Sequence, residues 1–171
     1  LLSELGRKQE KVVYNVLQQY ALSKLFKNLF LVSNPSLEKI VEKISILNYH
    51  KQLNDLITSV FHMINVFNHS ESVMDTFTPT DDMVNIATFG MVDVQQNKQK
   101  LFFPLDNLRE FKYYYAINRD ELEKEGDLLT NVKKNIKEST SESMGATYGI
   151  YTSNYDQNYG YVVACSSQLQ K

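Results

Sequence analysis

The sequence predicts an α+β domain: a long N-terminal helix or helices, then a mostly antiparallel sheet with one late helix and a C-terminal hairpin. Three observations predict it. Apolar residues recur at helical spacing through the first third of the chain; apolar and aromatic runs bounded by turn residues fill the remainder; and a helical pattern over 119–137 interrupts those runs. A chain of 171 residues is enough for one domain with a real core and marginal for two. It therefore reads as a single domain over 1–171, helical over 1–58 and sheet-forming over 59–171.

From Leu2 to about Leu31, Val13, Val16, Leu17, Tyr20, Leu22, Leu25, Phe26 and Leu29 fall on helical spacing with polar residues between them. Ser33-Asn34-Pro35-Ser36 breaks the pattern and offers Asn34 as a cap, with proline at the first helical position, where its missing N–H costs nothing. A second helix follows on Leu37, Ile40, Val41, Ile44 and Leu47, pausing near Asn48-Tyr49-His50. Leu53, Leu56, Ile57, Val60, Phe61 and Ile64 continue the helical spacing, yet 57–67 is rich in β-branched and aromatic residues. Helix and strand compete there. The composition favours a helix to about 58 and a strand over 60–67.

Strand signals then dominate. They cover 72–77, closed by the turn cluster Thr78-Pro79-Thr80-Asp81-Asp82, and 83–94, where Gly90 suggests a bulge. They continue over 101–103, ended by Pro104, and over 111–117 with Tyr113-Tyr114-Tyr115. Asn118 caps the late helix, with Glu121 placed as in a capping box. A polar loop over 138–143 leads to the closing hairpin: strands over 146–152 and 159–167, joined through Asn154–Asn158.

Composition excludes several classes. A net charge of −2 and a pI near 5.9 argue against a nucleic-acid partner, whose affinity comes from neutralising phosphates. The charge is mildly uneven: residues 1–57 hold 8 Lys/Arg against 5 Asp/Glu, and 58–171 hold 10 against 15. One cysteine, Cys165, permits no internal disulfide. No apolar run approaches the roughly 18 residues that span a membrane. The chain does not begin with Met, and its first residues read as the middle of a longer protein.

No catalytic constellation is visible, and no metal or cofactor site. His50, His62 and His69 lack acidic or thiol companions at ligand spacing. Cys165 sits in the apolar run Tyr161-Val162-Val163-Ala164, the setting of an inert thiol. Asp81-Asp82 falls in a turn, and the acidic run from Asp120 to Asp127 crowds a helix start, where the dipole favours it. The six glycines do not cluster into a phosphate loop. Asn68-His69-Ser70 fits a glycosylation triplet that is common by chance. The marked bias is aromatic: eleven tyrosines, nine phenylalanines and no tryptophan. Tyrosine joins a rigid apolar face to a hydroxyl, which suits a pocket as well as cross-strand packing.

The order of elements, ending in Tyr151-Thr152-Ser153-Asn154-Tyr155-Asp156-Gln157-Asn158-Tyr159-Gly160-Tyr161, resembles the extracytoplasmic PAS-like (Cache) sensor domains of bacterial membrane signalling proteins. The amino-acid-sensing members use an Arg-x-Trp-Tyr motif, and this chain has no Trp. The resemblance implies a periplasmic or extracellular input domain that binds a small molecule. It further implies membrane attachment through flanking segments and a homodimer through the N-terminal helix. The expected ligand-binding residues are Tyr113, Tyr115, Tyr148, Asp156 and Tyr161. A narrower resemblance, through Tyr148-Gly149-Ile150-Tyr151-Thr152, is to GyrI-like effector-binding domains, which implies a cytoplasmic binding or scaffold module instead.

Overall fold

The computed structural model describes residues 3–41, 43–78, 85–96, 98–124, 127–140 and 144–170. Residues 79–82 of the turn cluster read at 78–82, and 141–143 of the loop read at 138–143, lie outside them. Helix α1, Glu4–Leu22, starts where Ser3 accepts the Gly6 N–H at 3.1 Å. It stops nine residues short of the expected end. Lys24 takes a left-handed conformation, φ 63°, and the chain reverses. Leu29–Phe30 then forms β1, its ladder made by Leu29 N–H to Asn85 O and Leu31 N–H to Ala87 O, both 2.8 Å. The apolar residues that continued the helical pattern serve the strand equally well, so periodicity alone could not place the break.

Helix α2, Asn34–Glu38, is a single short turn capped at Ser33, one residue earlier than expected, with Pro35 in its first turn. A 3-10 turn, Ile46–Asn48, leads into α3, Tyr49–Asn68. The strand expected over 60–67 is helix throughout. Leu53, Val60, Ile64 and Phe67 form one buried stripe against the sheet, and that packing outweighs the β preference of its branched and aromatic residues.

The strands that follow are β2 (Met74–Asp75), β3 (Ile86–Val92), β4 (Gln99–Leu101) and β5 (Leu108–Asn118). The expected helix over 119–137 is described as two, α4 (Arg119–Lys124) and α5 (Leu128–Ser139). Strands β6 (Gly145–Ser153) and β7 (Tyr159–Ser166) end the chain. Sheet order is β1-β3-β7-β5-β6-β2, with β4 also on β3.

This order corrects the expected fold class. The sheet is mixed, with β1 parallel to β3 and β5 parallel to β6 over nine residue pairs. It is not the mostly antiparallel PAS-like sheet. Nor do 146–152 and 159–167 form a hairpin, because β5 lies between β6 and β7 and pairs with both. The reason is local ambiguity: β5, β6 and β7 are apolar on both faces, so any of them can sit centrally, and alternation does not name the neighbour. The parallel β5–β6 pair requires a crossover, and α4 and α5 supply it.

Both sheet faces are covered. One face sends Phe111, Tyr113, Tyr115, Ile117, Tyr148, Ile150, Val162 and Ala164 against Ala21 of α1 and Val132 and Ile136 of α5. The other sends Ala87, Phe89, Tyr114, Tyr151, Tyr161, Val163 and Cys165 against α2 and α3. The molecule is thus three-layered, helices on both sides of one sheet. Gly90 marks a close approach rather than the expected bulge: a Cβ there would lie 2.2 Å from the Lys100 carbonyl oxygen of β4.

Polar groups also tie α1 to the segment after β7. Gln18 of α1 is fully buried; its amide donates to Gln170 O at 3.0 Å and its oxygen accepts the Gln170 N–H at 2.6 Å. The Gln170 side chain in turn bonds Asp106 and Ser166.

Candidate functional site

The parallel strands β3, β5 and β6 deliver their carboxyl ends to one edge of the sheet, where ligand and contact surfaces of α/β sheets generally form. Among the described residues, two depressions lie there. The larger, about 990 Å³, is bounded by the β3–β4 turn, the β6–β7 turn, Glu121 of α4 and Leu56 of α3. The smaller, about 730 Å³, lies between the last turns of α3 and the start of β7, and is faced by Met63, Val66, Phe67, Tyr151, Tyr155 and Tyr159.

Local hydrogen bonds fix this edge. In the β3–β4 turn the Asp93 carboxylate accepts the N–H groups of Gln95 and Gln96, at 2.9 and 2.8 Å. Asn158 accepts the Asn118 N–H at 2.9 Å and donates to Glu121, while Asn118 donates to Tyr155 O at 2.8 Å and accepts the Asp120 N–H at 2.8 Å. Asn118 does cap α4. Glu121, however, reaches across to the β6–β7 turn instead of closing a capping box. The knot pins that turn, and with it Tyr155 and Tyr159, to the end of β5.

Beneath the smaller depression lies an aromatic cluster. Phe67 packs on Tyr151, Tyr161 and Tyr114 with ring centroids 4.6, 5.7 and 5.9 Å apart. Tyr114 hydroxyl donates to Asn68 at 2.9 Å, which fastens the last residue of α3 to the central strand. Asn68 is therefore engaged in the fold. His50, His62 and His69 are all exposed, and His69 Nδ1 contacts Asn65 O at 2.8 Å.

The five residues singled out in the sequence do not meet in one cavity. Tyr113 and Tyr115 stack along β5, 6.2 Å apart and nearly coplanar, in the core under α1 and α5; Tyr148 lies in that same layer. Tyr161 is on the opposite face, among Phe67 and its neighbours. Asp156 is exposed in the β6–β7 turn, on the larger depression. Burial pushes Tyr113 up to about 12 and raises Tyr114 and Tyr115 further, so these phenols stay neutral. Among the described residues the Tyr115 hydroxyl has no hydrogen-bond partner. Burial likewise pushes the Cys165 thiol up to about 12, an inert core thiol.

Chemically the edge offers carboxylates, amides, two lysines (Lys98 and Lys100) and phenols. Among the described residues no group of three His, Cys, Asp or Glu could hold a metal ion. No described helix is long and apolar enough to cross a membrane. Sequence reasoning missed Phe67, which it placed in a strand, and the exposed Tyr155. It also placed Leu47 in an apolar helix stripe, although Ile46 and Leu47 stand almost wholly in solvent, at 94 % and 95 %. The available signal was their position: two aliphatics among Lys43, Ser45, Asn48 and Lys51.

No family model and no curated protein matches the chain. Solved structures do match. A GDP-form protofilament of TubZ from Bacillus thuringiensis serovar israelensis aligns at TM-score 0.65 and 14% identity, covering 95% of this chain and 50% of that one. CetZ from Methanosaeta thermophila aligns at 0.54 and 14%, covering 83% and 43%. An empty FtsZ dimer from M. jannaschii aligns at 0.51 and 13%, covering 81% and 45%. The chain thus spans about half the length of the structures it matches.

At these identities the likeness shows the fold, the mixed sheet of the tubulin/FtsZ-like proteins. It overturns the sensor reading and, with it, the extracytoplasmic placement, the small-molecule partner, the flanking membrane segments and the N-terminal-helix dimer, all of which rested on a PAS-like layout. The GyrI-like alternative falls on the same likeness.

Proposed function

We propose that this chain is the assembly-forming half of a filament subunit of the tubulin/FtsZ kind, packing against further copies to build a linear polymer. The observation that carries the reading is the shared fold over 95% of the chain with a protein solved as protofilaments. Its edge of rigid turns and exposed aromatic and aliphatic side chains supports the same role, since such groups give large contact area at small entropic cost.

The matched TubZ structure is a GDP form. In this reading the chain's own residues supply contacts and not phosphate chemistry, because its six glycines are scattered and form no phosphate-cradling loop. Light scattering and electron microscopy over a concentration series, with and without GTP, test the assembly role. A chain that stays monomeric at every concentration in both conditions refutes it. Titration with a fluorescent GTP analogue tests the second half, and micromolar binding by this chain refutes that part alone.

A further inference from the structure

We draw no further inference here: the strongest candidate, the exposed apolar face of helix α1 formed by Leu5, Val12, Val13, Val16 and Tyr20, carries nothing because nothing in the structure shows what covers it.

Discussion

Replacing Gln18 by Leu keeps the bulk of the side chain and removes its amide. In the native protein that amide makes two bonds to the backbone of Gln170, at 3.0 and 2.6 Å, with both residues buried. The substitution strands one carbonyl and one N–H away from water, and each stranded group costs about 1–3 kcal/mol. The upper sum is not reached, because some water reaches the freed groups once the amide is gone. The Gln170 side-chain bonds to Asp106 and Ser166 hold the segment in place and keep that hydration partial. The expected loss is about 2–4 kcal/mol. Urea denaturation measures it, as a lowered midpoint at unchanged slope. Hydrogen exchange should show lost protection at 106–107 and 166–170 before any change in the central strands. A loss below about 1 kcal/mol with unchanged exchange refutes the reasoning, since it means water already reaches those groups.

Three further outcomes follow from the core. Phe67→Ala removes the ring that joins α3 to Tyr114, Tyr151 and Tyr161, and should cost about 3–5 kcal/mol by denaturation, against about 1 kcal/mol for Tyr114→Phe, which loses only the bond to Asn68. Gly90→Ala places a methyl 2.2 Å from backbone that cannot swing aside, so β4 must leave β3; amide protection at 99–101 should vanish, at about 1–3 kcal/mol of stability. Tyr113, Tyr114 and Tyr115 have folded-state pKa values raised above the unfolded value of 10.0, so the unfolded chain loses protons first. Stability is then full below about pH 10 and falls as pH rises toward 12 and beyond, by about 1.4 kcal/mol per pH unit for each tyrosine. A stability–pH series paired with tyrosinate absorbance checks this, and tyrosines that all titrate near pH 10 without unfolding refute it.

The assembly surfaces show why part of the site was legible and part was not. The concentration of tyrosines in the last third was plain from composition, and the structure does carry Tyr151, Tyr155 and Tyr159 to one groove. Tyr113, Tyr115 and Tyr148 share the bias and lie under helices instead. Composition reports how many rings there are. Which face each one occupies depends on strand register and on what covers that face.

By itself the sequence determined the local events: the break around Pro35, the strand through Tyr113-Tyr114-Tyr115, the cap at Asn118 and the two last strands. Each depends on neighbours within a few residues, where caps, proline and side-chain alternation act directly. The tertiary structure alone decided that β5 would slide between β6 and β7, that 60–67 would stay helical, and that α1 would end at Leu22. In each case two local conformations were close in free energy. The choice fell to long-range contacts: the nine-residue parallel ladder of β5 with β6, the stripe of Val60, Ile64 and Phe67 against the sheet, and the short parallel pairing of Leu29 and Phe30 with β3. Local periodicity carries no information about such partners, because a strand apolar on both faces accepts any neighbour that buries it.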